Sequence, residues 1–383
     1  MIMKIVAGMG SIEEYESLIT AGVDEVFCGY VPASWYEKYG NFRPLNRREV
    51  RFYHVQIGSM EDMKILAKMM QDLKVPVTLT FNALYYMPEQ YEEIGNLIEQ
   101  LLMLGFGRYI ISDLALLRYL QKRKLPCKIH ISGEIGEVNP SYLDFVEETF
   151  DTKKYVQDVQ TNLNNQIISK NENKKDIKKE NENKSDGLQI VRQIFHRKNT
   201  LQNMASCIQH QEQAGRKMEY EAFVLNELCQ YTGGFCNSLH CDELVHLCQL
   251  PYQVVPLHGS NQSNVYQAGE IMKDAENDKE GSYIENAEEL QIENDSADEN
   301  IPGETGCGLC ALYQMKQAGI THLKVVGRGN QLENMVRDVS SLKRALEILE
   351  QTSSEDEFKI EVQRELFKKG CSKRCYYFCE CNI

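Results

Sequence analysis

The chain of 383 residues carries 42 Lys and Arg against 56 Asp and Glu, a formal charge of −14, with 42% hydrophobic residues. That balance excludes a general nucleic-acid coat, which needs a cationic face, and no run of about eighteen apolar residues offers a membrane span. The charge is uneven: Gly259–Glu304 holds thirteen acidic residues and two lysines, a net of −11, which leaves −3 on the other 337 residues.

The first residues, Met1-Ile2-Met3-Lys4-Ile5-Val6-Ala7, turn polar too soon for a signal peptide. The chain is therefore expected in the cytoplasm, with its cysteines as thiols or metal ligands and not as disulfides. Lys4–Ala7 is the first predicted strand, and Ser11-Ile12-Glu13-Glu14 reads as a capping box that opens a helix. Gly22 ends that helix before a second strand, Asp24–Cys28. A long loop with Trp35 and four arginines (Arg43, Arg47, Arg48 and Arg51) follows, and Ser59 and Asp62 open a helix to about Asp72. Such an arginine run is a solvated face or a local anion patch.

Further along, Val75–Phe81 is a buried strand, and Ile94, Leu97, Ile98, Leu101 and Leu102 form one apolar helical stripe. The remaining strands are Arg108–Ser112, Lys128–Ser132, Ile190–Phe195, Tyr220–Leu225 and His322–Val326. Helices are predicted at Leu114–Lys122, Pro140–Thr149, Leu201–Gln213 and Gln331–Leu349. Two polar stretches interrupt this alternation, a linker at 152–187 and an acidic insert at 259–304; the first is rich in Asn and Lys, the second has no sustained apolar period, and both are expected to be loops that bury nothing. Ala21-Gly22-Val23-Asp24-Glu25-Val26-Phe27, Leu104-Gly105-Phe106-Gly107-Arg108-Tyr109-Ile110 and Ala318-Gly319-Ile320-Thr321-His322-Leu323 share one shape: glycine helix end, short turn, strand. Eight such units predict a (β/α)₈ barrel over residues 1–350, with a Cys-rich tail at 351–383. A doubly wound open sheet is the alternative. No Gly-rich phosphate loop follows the first strand to support it.

Ten of the thirteen cysteines lie after residue 228. Cys229, Cys236, Cys241 and Cys248 follow the seventh strand, and Cys307 and Cys310 precede the eighth. A barrel makes those places neighbours near its mouth, and four thiolates there suit zinc or an iron–sulfur cluster. Cys28, Cys127 and Cys207 sit among apolar neighbours and are expected in the core. Cys371, Cys375, Cys379 and Cys381 could form a second metal site, lend a ligand to the first, or belong to a frayed end.

No Gly-x-Ser-x-Gly elbow and no His-Glu-x-x-His is present. His130 and His196 fall on or after strands five and six, and Glu134, Glu137 and Asn139 follow His130. Paired carboxylates there could hold a cation or act as acid and base, or Asn139-Pro140 simply starts a helix. Asn82, His130 and Arg328 are candidate pocket residues at strand ends, and Arg328 is placed to clamp a carboxylate or phosphate.

Ala21-Gly22-Val23-Asp24-Glu25-Val26-Phe27-Cys28-Gly29, Thr80-Phe81-Asn82-Ala83-Leu84, Ile111-Ser112-Asp113-Leu114, Glu219-Tyr220-Glu221-Ala222-Phe223-Val224 leading to Cys229-x₆-Cys236, and Leu323-Lys324-Val325-Val326-Gly327-Arg328 stand out as longer motifs. Together they resemble the collagenase-like peptidases, peptidase family U32. The resemblance implies a [4Fe–4S] cluster on Cys229, Cys236, Cys248 and Cys310, with Cys241, Cys307, Cys371 and Cys375 in reserve. It also implies either a collagenase-like peptidase or an oxygen-independent hydroxylase acting on an RNA base or a small aromatic compound, served by an electron donor or a paralogue of the same family. Three expectations follow: an iron–sulfur hydroxylation-type enzyme with His130, Asn82, Arg328 and Glu134 as catalytic candidates, a metal-dependent peptidase, or a zinc-stabilised scaffold without catalysis. The substrate is a small molecule, a peptide or an RNA, and no membrane is involved.

Overall fold

Repeated glycine-ended helices and short strands give the chain one way to bury its apolar faces: strands inside, helices outside. The computed structural model bears this out. It describes residues 3–40, 43–47, 55–150, 187–226, 228, 301–368, 370–371 and 373–377. The strands are β1 Lys4–Gly8, β2 Glu25–Gly29, β3 Val77–Phe81, β4 Arg108–Ile111, β5 Lys128–Ile131, β6 Gln189–Ile194, β7 Glu219–Leu225 and β8 His322–Val325. They pair in sequence order as a closed barrel, and β8 closes in parallel on β1 through Ile5↔Leu323 and Ala7↔Val325. An open sheet is excluded.

The helices are α1 Glu14–Ala21, α2 Ala33–Tyr39, α3 Met60–Leu73, α4 Pro88–Met103, α5 Leu114–Lys122, α6 Pro140–Phe150, α7 Leu201–Gln213, α8 Leu312–Ala318, α9 Leu332–Gln351 and α10 Glu355–Leu366. Local chemistry sets their ends. Ser59 accepts from Asp62 N to open α3, and Asp113 accepts from Ala115 N and Leu116 N to open α5. Gly22 (φ 115°) and Gly319 (φ 90°) end α1 and α8 in the left-handed conformation that the repeated glycine pattern predicts. The capping box at Ser11 does not form. Ser11 Oγ accepts from Glu13 N, and the Glu14 carboxylate turns back to Gly10 N at 3.0 Å. The Glu14 side chain is drawn to the loop after β1, so α1 starts at Glu14, two residues later than the box predicts. Helix α2 also forms within what reads as a long loop, pinned by the fully buried Trp35, whose Nε1 donates to Arg43 O at 3.0 Å.

Apolar residues fill the layer between strands and helices, among them Leu18, Leu66, Leu101, Leu120 and Leu342, all fully buried. The barrel interior differs from the branched apolar layers usual for this fold. Arg192 on β6 reaches across to Glu25 on β2 at 2.8 Å, and also holds Glu221 (2.8 Å) and Glu219 (2.7 Å) on β7. His322 lies 3.3 Å from Glu25, and Lys324 lies 2.7 Å from Glu221. Strands β2 and β6 are not neighbours, so these side chains meet inside the barrel.

The linker at 152–186 and the acidic stretch at 259–300 lie outside the described residues. Part of the segment after residue 350 is ordered against the rest. Arg344 on α9 holds Glu365 on α10 (2.7 Å), and Phe358 and Val362 are fully buried. Beyond α10, Tyr376 and Tyr377 are buried, and their hydroxyls donate to Asn226 O and Phe223 O.

Candidate active site at the barrel mouth

Side chains from the C-terminal ends of the strands and the loops after them form the mouth, the usual position for barrel chemistry. Arg328, two residues past Val326, donates from Nη1 to Thr80 Oγ1 (3.0 Å) and Gln56 Oε1 (3.2 Å). Two glycines make room for it. A Cβ on Gly29 would sit 2.7 Å from Arg328 Nη1 and closer still to Gln56, and one on Gly8 would sit 2.9 Å from the Phe27 ring and 3.1 Å from Arg328 Cγ. Any larger residue at position 29 displaces the guanidinium.

Below Arg328 stands Lys324, with Nζ 3.8 Å from the centre of the Phe27 ring and 5.9 Å from that of Phe223. Arg197 lies 4.4 Å from the Phe223 ring centre, within the range of a cation–π contact. Glu134, on the single helical turn Gly133–Ile135 after β5, sits between Arg47 (3.6 Å) and Arg197 (3.4 Å). The mouth thus presents Arg47, Arg197, Lys324 and Arg328 beside two phenylalanine faces, against the carboxylates of Glu134 and Glu221.

The sequence candidates are distributed as follows. Arg328 and Glu134 lie at the mouth. Asn82 braces it: Oδ1 accepts from Arg47 N (3.1 Å), and its carbonyl accepts from Ser112 Oγ (3.2 Å). His130 lies within β5, paired with Ile110 and Arg192, beneath the strand ends where it was expected. It is 1% exposed and neither ring nitrogen has a hydrogen-bond partner among the described residues. Burial first, and then Arg192, hold its imidazole neutral far below the usual histidine range. His196 is also neutral, lowered to about 4, mainly by burial. Arg43 is exposed and pairs with the exposed Glu89 (2.5 Å), as a solvated face does, whereas the Arg47 side chain is largely buried against Glu134 (3.6 Å). Arg48 and Arg51 lie outside the described residues.

Sequence reasoning missed four groups: Lys324, Glu221, Arg197 and Glu14. Lys324 and Glu221 alternate with apolar residues inside strands, and that inward-facing charge was the available signal. Burial raises the Glu14 carboxyl to about 7, despite the hydrogen bond from Gly10 N that favours its ionised form.

Of the cysteines, Cys229, Cys236, Cys241, Cys248, Cys379 and Cys381 lie outside the described residues. Cys28, Cys127 and Cys207 are core thiols, raised by burial to about 12, 12 and 11. Cys307 and the half-buried Cys310 lie beside the end of β7. Gly308 N donates to Val224 O (2.7 Å), Asn226 N to Gly306 O (2.7 Å), and Leu228 N to Thr305 O (2.9 Å). The last segment adds a third strand-like run, with Cys307 N to Arg374 O and Tyr376 N to Cys307 O, both 2.9 Å. Cys307 and Cys375 are therefore bridge partners, and Cys371 and Cys375 both act electrostatically on Cys307, whose thiol burial pushes up to about 12. Among the described residues, no group of three His, Cys, Asp or Glu is spaced to hold a metal ion. No described helix is long and apolar enough to cross a membrane.

The family model for peptidase family U32 matches residues 10–156 and 184–380. No curated protein sequence matches the chain. Similar solved structures include the U32 peptidase Mk0906, at 8% identity over 58% of this chain and 69% of that one, with a TM-score of 0.36. Another is a putative dihydrodipicolinate synthetase from Pseudomonas aeruginosa, at 6% identity over 97% of this chain and 86% of that one, with a TM-score of 0.41. With a family match over both halves of the barrel, this chain belongs to peptidase family U32.

Proposed function

We propose that this protein is a cytoplasmic, oxygen-independent hydroxylation-type enzyme that holds a [4Fe–4S] cluster on Cys229, Cys236, Cys248 and Cys310. The observation that carries this reading is the backbone ladder at the mouth. Leu228, the residue before Cys229, is hydrogen-bonded to Thr305, and the same run continues through Cys307 to the turn bearing Cys310. Two segments that each bring a thiol candidate are thus tied together beside Phe223 and Arg197. Cys310 is half-buried, whereas Cys307 is buried, which makes Cys310 the more accessible thiol of the pair. When bound, the cluster supplies one-electron chemistry that side chains lack, fed by an external electron donor.

The chain's own residues do the rest. Arg328 presents a guanidinium for a carboxylate or phosphate, and Phe27 and Phe223 offer faces for a planar group. Glu134 holds Arg47 and Arg197 in place. Glu14, half-protonated near neutrality, can hold or release a proton beside Gly10. The substrate is accordingly an anionic molecule with a planar part, a description that fits both a small aromatic acid and a nucleotide of RNA.

The test is iron and acid-labile sulfide content after purification without oxygen. Wild type and Cys28→Ser should carry both, and Cys229→Ser and Cys310→Ser should lose them. Zinc without sulfide would overturn the reading in favour of a scaffold. The family match favours a second reading, a metal-dependent peptidase, and peptide cleavage that survives Cys229→Ser would establish it.

A further inference from the structure

Asn226 follows β7 directly, and its backbone is left-handed (φ 69°). The other described non-glycine residues with positive φ, Lys74, Lys124 and Lys373, are exposed, whereas Asn226 is buried. Glycine adopts that conformation at no steric cost, so the backbone by itself does not call for an amide. The side chain has other contacts. Its Nδ2 donates to Asp338 Oδ2 on α9 at 2.8 Å and to Val326 O, just past β8, at 3.3 Å. The backbone N donates to Gly306 O at 2.7 Å, and the carbonyl accepts from the Tyr376 hydroxyl. One residue thus bonds to four separate segments, and two of them carry Cys307, Cys310, Cys371 and Cys375. Asp338 is 2% exposed, with Arg337 Nη2 3.6 Å from its other oxygen. A carboxyl buried on a helix is costly unless it is hydrogen-bonded, and the Asn226 amide supplies that bond.

Three glycines bring the run with Cys307 and Cys310 flat onto the end of β7. A Cβ on Gly303 would sit 2.7 Å from Leu225 Cδ2 and 3.0 Å from Cys307 Cβ, one on Gly306 would sit 2.9 Å from Leu228 N, and one on Gly308 would sit 3.2 Å from the Tyr377 ring. Backbone contact therefore sets the place of this run, and Asn226 is where it meets α9, the end of β8 and the last segment. We propose that Asn226, held by Asp338, is a positioning residue. It fixes the run bearing Cys310 against the end of β7 and ties it, through Val326, to the strand that continues to Arg328. This role rests on the cluster reading above in so far as Cys310 is a ligand; the hydrogen bonds that define it are made wholly by described residues.

The experiment compares the full wild-type chain with two variants. Asn226→Gly keeps the left-handed backbone and removes the amide; Asn226→Asp combined with Asp338→Asn exchanges donor and acceptor. In metal-free protein, alkylation of Cys310 by iodoacetamide, followed by peptide mass spectrometry, should be about tenfold faster in Asn226→Gly, the effect of losing about one hydrogen bond. The exchanged pair should bring it back close to wild type. Cys207, a core thiol on α7, is the control: its alkylation should not change, because a general loosening of the barrel would expose it too. In iron-loaded protein, a chelator should remove iron about tenfold faster from Asn226→Gly than from wild type, with the same rescue. Cys310 alkylation at the wild-type rate in Asn226→Gly would overturn the proposal, as would equal acceleration at Cys310 and Cys207. No rescue by the exchanged pair would overturn the part of Asp338. A wild type without iron and sulfide would overturn the cluster reading alone, and Cys310 alkylation would still decide the positioning role.

Discussion

At the base of the barrel, Arg192 meets Glu25, Glu219 and Glu221, and each of its three guanidinium nitrogens donates to a carboxylate. At the mouth, Glu134 lies between Arg47 and Arg197, and Arg328 donates to Thr80 and Gln56. The base is a saturated network and the mouth is cationic. Lys324 joins the two, with its stem on β8 and its charge on Glu221. Buried charges are tolerated where every one has a partner; the mouth gathers the guanidinium groups of Arg47, Arg197 and Arg328, the groups that recognise carboxylates and phosphates. The comparison separates charge that holds the fold from charge that can bind.

Breaking the base should cost the most. Arg192→Met leaves Glu25 and Glu221 buried without their shared cation, and the expected loss is about 3–5 kcal/mol of unfolding free energy in urea titration. Adding Glu25→Gln and Glu221→Gln to that variant should restore a large part of the loss. No recovery would mean that Arg192 acts by packing and not by charge.

A smaller effect is expected at the mouth. Gly29→Ala should cost roughly 1–3 kcal/mol because the new methyl meets Gln56 and Arg328. Arg328→Met should cost less stability than Gly29→Ala yet abolish binding of carboxylate ligands, as read by calorimetry. Equal binding by wild type and Arg328→Met would remove the mouth as an anion site.

Acidity sharpens the contrast between the two ends. Burial alone would raise Glu221, but Lys324 and Arg192 outweigh it and hold its carboxyl at about 2. Its contribution is present above the ordinary glutamate value and is lost as pH falls from there through about 2. Glu14, raised to about 7, has the opposite sign. Stability falls as pH rises from the ordinary value through about 7, and Glu14→Gln should flatten that slope in urea titrations between pH 5 and 8, the range in which a carboxyl raised to about 7 ionises. The smallest change expected is Tyr377→Phe. It removes one hydrogen bond to Phe223 O (2.9 Å) and should cost about 1 kcal/mol by thermal melting.

Much of the barrel is legible in the sequence. Glycine helix ends at Gly22 and Gly319 and alternating apolar strands locate all eight strands to within two residues. Helix α2 is not legible, because Trp35 is its one fully buried side chain and Tyr36 and Tyr39 are only partly buried. Neither is α10, whose apolar residues are few. Of the candidate site, Arg328 and Glu134 can be found from position after a strand. Asn82 can be found too, but its role as a brace for Arg47 needs the fold. His130 was expected at the strand ends, and one residue of register puts it level with Arg192 instead.

The sequence by itself determined the alternation, the charge segregation and the thiol candidates, because each depends on local pattern and composition. Tertiary structure alone decided that Arg192 and Glu25, 167 residues apart, share a hydrogen bond. It also decided that Lys324 and Arg328 flank one ring, and that the backbones of Cys307 and Cys375 run side by side. Closing eight strands into a ring brings opposite sides within reach of a side chain, and no local pattern encodes that closure.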